Sequence, residues 1–311
     1  MTDVRELPLA AFEMFQGRER IMQLGVGMTL YFPRPFQKFQ KEILAFWHAY
    51  ADLVGLKTFT WARLGGGNRS RAASPAVLKT IEAWLDGSKD PGETCWISLH
   101  DGPMDAIGKN SFMLTGEGDA ETEWDEESSC IDVVFPVEML QNMGSAAFAD
   151  ALIALAAHVP FEAGVAGYVF HRSPYKFHVT IAAMRALSKR FPGVEISAAE
   201  RLAYLAGRGI PSVNWLTFVG ATHLGKLGGV KLLAERLRGI SDVLALPHGA
   251  VVKTGESPET GDRNRGDDAL APLRRAYGVL RAAQFVDEAY AFDDIRFPGD
   301  ATVEWLTRLA P

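Results

Sequence analysis

Five stretches of the chain carry residue types and spacings that could do chemistry. The first, Gly220-Ala221-Thr222-His223-Leu224-Gly225-Lys226-Leu227, follows a predicted strand and matches a phosphate-binding loop through its lysine. Such a loop needs serine or threonine after the lysine to ligate magnesium, and Leu227 cannot do so. Gly228 and Gly229 also oppose the helix whose N-terminus would cradle phosphate, because each costs about 1 kcal/mol relative to alanine inside a helix. A glycine-rich turn ahead of a helix near Val230 is the simpler reading. His171 and His178 with Glu162 are candidate metal ligands, but seven residues is two helical turns, too far for a tight pair on one helix. His100-Asp101 follows a strand, yet no serine or cysteine nucleophile is spaced to meet it, and Gly102-Pro103 makes it a turn. No catalytic residue, metal site or cofactor is assigned from these motifs.

The fourth stretch is more informative. Glu117, Asp119, Glu121, Glu123, Asp125, Glu126 and Glu127 crowd together with no basic residue among them, so this segment cannot be buried. It lacks the ordered Asp-x-Asp-x-Asp-Gly run of a calcium loop. One reading is a solvated loop between two strands. The other is a negative prong offered to a basic cleft, with Trp124 as an apolar anchor of the kind that dominates binding energy. In the fifth stretch, Gly261 to Asp268, charges alternate between glycines directly before a helix. Asp267 or Asp268 would cap that helix, and the neighbouring arginines would pair with Asp262 to hold the loop.

The elements that must position these residues are legible from periodicity. Met22 to Phe32 alternates strictly, which predicts a half-buried strand. Phe39, Ile43, Phe46, Trp47, Tyr50, Leu53 and Val54 recur at helical spacing up to a stop at Gly55. Ser74-Pro75 opens a second helix that ends at Gly87. Strands over Thr94 to Leu99, Ser111 to Thr115 and Cys130 to Phe135, with no long helix between them, predict antiparallel pairing. A helix over Ala146 to His158, a strand over Val165 to Phe170 and a helix after Ser173-Pro174 come next, and Ser197-Ala198-Ala199-Glu200 reads as a capping box. A strand over Val213 to Val219, a helix over Val230 to Leu237, a hairpin at Pro247-His248-Gly249, a helix over Ala269 to Leu280 and one after Asp300 complete the pattern. Strands mixed with helices without regular alternation predict an α+β fold, a mixed but largely antiparallel sheet or sheets covered by amphipathic helices. The expected organisation is one domain over residues 1–311, built as a unit or as two packed halves meeting near residue 160.

With 48% hydrophobic and 23% charged residues the 311-residue chain has globular composition. Its formal charge of −6 disfavours nucleic acid or an anionic bilayer as partner and favours a basic one. The apolar run near Phe148 to Val159 is too short for a span and contains Asp150, so no membrane association is expected. The opening residues carry acidic groups and lack a secretory pattern, which places the chain in the cytoplasm. Cys95 and Cys130 lie in predicted strands and would be reduced core thiols.

Three segments of the second half, Arg201 to Gly220 (RLAYLAGRGIPSVNWLTFVG), Leu227 to Leu233 (LGGVKLL) and Gly249 to Asp267 (GAVVKTGESPETGDRNRGD), resemble the TsiV-like family of type VI secretion immunity proteins. The strand ending in Leu30-Tyr31-Phe32-Pro33, followed by a long amphipathic helix, is similar to that family's opening. The resemblance implies a non-catalytic protein that binds and neutralises a cognate antibacterial toxin. It picks out Asn214, Trp215, Gly261, Asp262, Arg263, Asn264 and Asp267 as signature positions that maintain the scaffold. The acidic segment matches no family motif and is the better candidate for specificity. Its charge suits a nuclease toxin, whose substrate groove is basic. Two other readings stand beside this one: a nucleotide-binding or hydrolytic enzyme centred on Gly220 to Lys226, and an adaptor for a protein unrelated to any toxin. The oligomeric state is not legible.

Overall fold

The computed structural model describes residues 7–65, 70–92, 94–104, 106–118, 128–197, 199–265, 268–286 and 299–310. In chain order the elements are β1 (Met14–Gln16), β2 (Glu19–Phe32), α1 (Gln40–Val54), β3 (Trp61–Leu64), β4 (Arg71–Ala72), α2 (Pro75–Leu85), β5 (Thr94–His100), β6 (Ser111–Glu117) and β7 (Ser129–Phe135). They continue with α3 (Val137–Met143), α4 (Ser145–Ala156), β8 (Ala163–Arg172), α5 (Phe177–Arg190), α6 (Ala199–Ala206), β9 (Leu216–Gly220), α7 (Ala221–Lys226) and α8 (Gly229–Arg236). The last are β10 (Asp242–Leu246), β11 (Gly249–Lys253), α9 (Ala271–Leu280) and α10 (Gly299–Leu306).

Among the described residues all the strands join one sheet, ordered β10-β11-β9-β8-β2-β7-β6-β5-β3-β4, with β1 folded back on the start of β2. Every strand pair is antiparallel, and parallel contact is confined to isolated bridges such as Val169 with Glu195. The fold is therefore α+β, with one sheet rather than several. Its long inner strands β2 and β8 pair from Met22–Arg172 to Tyr31–Ala163, so the sheet runs unbroken across residue 160.

Helix α1 forms where expected because its aromatic stripe has a partner: Trp47 lies 5.0 Å edge-on to Phe112 and Tyr50 5.5 Å from Phe135. Ser74 caps α2 by accepting from the Val77 amide, and Gly87 takes a positive φ of 75° beyond its end. Pro247-His248 closes the β10–β11 hairpin with Leu246 opposite Gly249. A second, smaller core gathers Val219, Ala250 and Val252 of the sheet under Leu224, Leu233 and Tyr277 of α7, α8 and α9.

Three expectations need correction. Strand β2 is buried on both faces beyond Arg20, not half-buried. Its second face holds Gly25 and Gly27, and a Cβ at Gly27 would stand 2.8 Å from Val169 Cγ1 and 3.1 Å from the Val133 carbonyl. Small residues there let neighbouring side chains and backbone close over the strand, and an alternation of apolar residue with glycine does not report exposure. Val213–Trp215 precedes β9 instead of joining it, and α3 is a helix that the periodicity did not predict. Residues Gly220–Lys226 are not a glycine-rich turn: Ala221–Lys226 is itself helical, and the reversal falls at Gly228, with φ of 87°.

Candidate functional site

Strands β6 and β7 are neighbours, and the acidic segment is the connection between them. Of its seven acids only Glu117 is described; Asp119, Glu121, Glu123, Trp124, Asp125, Glu126 and Glu127 lie outside the described residues. The two roots are anchored. Arg34 donates from Nε and Nη2 to the Gly118 carbonyl at 3.2 and 2.9 Å. The Glu117 amide donates to Ser129 Oγ at 3.0 Å, and Ser128 Oγ donates to Glu162 Oε2. Glu162 is thereby committed to the base of this hairpin and is no partner for the histidines. His171 is buried at the end of β8, and His178 faces solvent on α5. Among the described residues no group of three or more His, Cys, Asp or Glu side chains is placed to hold a metal ion.

The remaining chemical candidates have structural partners. Lys226 Nζ donates to the Arg208 carbonyl at 2.7 Å, and the buried His223 ring meets the Ala206 carbonyl at 2.6 Å. Burial pushes the His223 pKa below its ordinary value. Asp101 ties its own turn, accepting from the amides of Lys109 and Asn110 and from Asn110 Nδ2. Both cysteines are buried free thiols, and burial pushes Cys95 up to about 12.

The signature positions fall into two networks. In the first, Asn214 Oδ1 accepts from the Trp215 amide at 2.8 Å, while its Nδ2 donates to Glu195 Oε2 at 3.3 Å. Glu195 also accepts from Ser212 Oγ and from Arg308 Nη2, each at 2.9 Å or less, and Arg308 Nε reaches the Pro192 carbonyl. Trp215 is a fully buried core residue.

In the second network Asp262 holds Arg190 of α5 through two parallel bonds, 2.9 Å to Nε and 2.8 Å to Nη2, and accepts from the Asn264 amide. The direct partner is thus an arginine 72 residues away, and Arg265 of the same loop adds its charge. Gly261 has a φ of 66°, and a side chain there would strike Leu270. Arg263 and Asn264 are exposed, and Asp267 lies outside the described residues. Asp268 does not cap α9 with its side chain; it pairs with Arg274 at 3.4 Å, and Leu270 occupies the cap position. Ser197, expected to cap α6, sends its hydroxyl to Asp132 Oδ2 at 2.8 Å.

The Arg190 hydrogen bonds hold the Asp262 carboxyl below its ordinary value. A carboxylate with a lowered folded-state pKa stabilises the fold fully above its unfolded value, near pH 4, and that contribution is lost as pH falls through the lowered value. Asp262→Ala is expected to melt below the parent protein at pH 7, with the gap narrowing as pH falls below about 4. Melting curves between pH 2.5 and 7 check this, and a gap that does not depend on pH would mean that the ion pair is not its source.

Asp132, Glu195 and Arg308 belong to no motif or spacing that marks them in the sequence. The available signal was a charge inside an apolar stretch: Asp132 sits within Cys130-Ile131-Asp132-Val133-Val134 and Glu195 between Val194 and Ile196. A buried carboxylate needs partners, but its own neighbours in sequence do not name them.

Comparison with known proteins decides the family. The family model described as "TsiV: Type VI immunity for VRR-NUC" matches residues 34–309. The chain belongs to this family. It is a type VI secretion immunity protein, and the resemblance carried by its second half extends over most of its length. Its fold is shared with a solved structure, the Pseudomonas aeruginosa T6SS protein PA0821, at a TM-score of 0.82 and 19% identity, covering 96% of this chain and 88% of that one. No curated protein matches. Family members of this kind act by engaging a toxin partner, and among the described residues no single helix is long and apolar enough to cross a membrane.

Proposed function

We propose that this immunity protein, acting as a single domain in the cytoplasm and without catalysis, neutralises a nuclease toxin by direct contact through the Glu117 to Glu127 segment. The observation that carries the reading is the coincidence of a family described by a nuclease domain with seven acids, uninterrupted by any basic residue in the sequence, at a hairpin connection. A nuclease must hold a polyanion, so its groove is basic, and a run of carboxylates offers that groove a competitor with the charge of the substrate backbone. Arg34 and Ser129 fix the root of the segment to the sheet, which limits the entropy lost when the segment docks.

The enzyme reading centred on Gly220 to Lys226 has lost its support, since Lys226 and His223 are spent on backbone carbonyls and Leu227 is fully buried. The test is co-expression with the product of the adjacent toxin gene in a sensitive bacterium, scoring survival, co-purification and cleavage of cellular DNA together. Survival with a stable complex and intact DNA is the expected result. Survival without a complex would remove direct contact, and a toxin that kills without cutting nucleic acid would remove the nuclease.

A further inference from the structure

On the sheet face that carries Gly25 and Gly27 of β2, paired positions bring Ser98 of β5, Met113 of β6 and Asp132 of β7 into one row. All three line a cavity of about 300 Å³, together with Val134 of β7, His171 of β8 and Ile107. Gly25 makes room for part of this lining. A Cβ there would stand 2.6 Å from Val134 Cγ1 and 3.3 Å from the His171 Cβ, so its absence lets an apolar and a polar side chain lie next to each other over the strand. The volume sits at the lower end of what small-molecule sites occupy, about 300–1,000 Å³. His171 is 5% exposed and Ser98 8%, so polar groups of the lining are held away from bulk water.

His171 is the polar group that this lining leaves unanswered. Its Nδ1 is buried and makes no hydrogen bond among the described residues, so the cost of taking it out of water is uncompensated. Burial, with His100 and Arg172 nearby, pushes its pKa down to about 3, so at pH 7 the ring is neutral, one nitrogen donating and the other accepting. The charged side chains of the lining, by contrast, have partners. Asp132 accepts from Thr29 Oγ1 with one oxygen and from Ser197 Oγ with the other. Arg172 donates to the Ser173 and Ser197 carbonyls and lies 4.5 Å over the Phe177 ring. Arg63 lies 4.6 Å over the Trp96 ring with Tyr175 at 5.6 Å, and neither arginine is free. The hydrogen-bonding capacity left open at His171 is therefore that of an uncharged group, and Val134, Ile107 and Met113 set apolar surface in the same cavity.

We propose that this cavity binds a small uncharged hydroxyl compound of the phenol class, with its hydroxyl on His171 and its ring against Val134, Ile107 and Met113. A hydroxyl both donates and accepts, so it satisfies Nδ1 of a neutral imidazole in either tautomer. A carboxylate or an ammonium would give up its hydration for that same neutral partner, which costs far more than the transfer of a hydroxyl. The site is independent of the acidic segment: Glu117 pairs with Thr94, whereas His100, which also lines the cavity, pairs with Ser111 at the opposite end of the same strands, roughly 20 Å away at 3.3 Å per residue.

The test is calorimetric titration of the full chain with p-cresol, with toluene, which keeps the ring and lacks the hydroxyl, and with 4-methylbenzoate, which carries a charge in its place. The imidazole nitrogen signals of His171 are followed by NMR in the same titrations. Saturable binding of p-cresol at or below about 1 mM is expected for a guest of this size. Toluene should bind about tenfold more weakly, because it leaves the buried nitrogen unsatisfied. The His171 signals should shift as p-cresol fills the site. His171→Phe keeps a ring at this position and should bind p-cresol and toluene alike; the NMR signals of the parent protein serve if that variant does not fold. No saturable binding of p-cresol would overturn the proposal and leave water as the occupant. Equal binding of p-cresol and toluene by the parent protein, or His171 signals that stay put, would overturn the contact with His171. Tighter binding of 4-methylbenzoate than of p-cresol would overturn the uncharged class.

Discussion

Arg308→Ala is expected to destabilise the protein by about 3–5 kcal/mol, because it strands the Glu195 carboxylate in the interior. The two side chains are 6% and 8% exposed and meet at 2.8 Å. Ser212 Oγ and Asn214 Nδ2 also donate to the carboxylate, but hydroxyl and amide donors do not replace a full positive charge. At about 2.1 cal/mol/K of unfolding entropy per residue, that loss lowers the melting temperature on the order of 5–8 °C. The effect has a specific signature. Replacing a buried ion pair with neutral groups of similar shape is far milder than removing one partner, so Glu195→Gln with Arg308→Met should recover most of the lost stability. The glutamine carbonyl still accepts from Ser212 and Asn214. Urea and thermal unfolding of the two variants decide the matter. Parent-like melting of Arg308→Ala, or a double variant no better than the single one, would show that the pair contributes packing and not charge compensation.

Reversing Glu121, Glu123, Asp125 and Glu126 together to lysine is expected to slow toxin association by one to three orders of magnitude at low salt. The four substitutions change the formal charge from −6 to +2. Folding should be unaffected, since a run of carboxylates this dense is not part of any core. The salt dependence separates steering from simple loss of contact. The parent complex should form more slowly as salt rises from 20 to 300 mM, because screening shortens the reach of the field, and the variant should lose that dependence. Reversing Asp52, Glu235, Asp242 and Glu256, which are exposed elsewhere on the surface, makes the same change in formal charge and controls for it. Stopped-flow association reads all three proteins. If the segment variant and the control variant slow equally, the acidic segment has no special place in the interface.

Much of the fold was readable because it rests on local rules. The stripe Phe46, Trp47, Tyr50 of α1, the Ser74 cap of α2 and the Pro247-His248 hairpin each depend on residues within a few positions of one another. The three strands β5, β6 and β7 pair in consecutive order, which short connections favour. The failure of Gly220 to Lys226 as a nucleotide loop was equally plain, because Leu227 lacks the required oxygen whatever surrounds it.

The candidate sites divide along the same line. The sequence by itself determined that Glu117 to Glu127 is a run of charge of one sign, and it carried the family in the motifs around Asn214-Trp215 and Gly261-Asp262. It could not determine that Asp262 is held by Arg190, Glu195 by Arg308, or Asp132 by Thr29 and Ser197. Those partners lie 65 to 113 residues apart, and each pairing follows from strand register and helix placement over a sheet. Nor could alternation reveal that the glycine face of β2 is closed over, or that His171 is buried beside it. A buried charge is stable only where distant chain segments arrive with matching groups, and where those segments arrive is decided by tertiary packing.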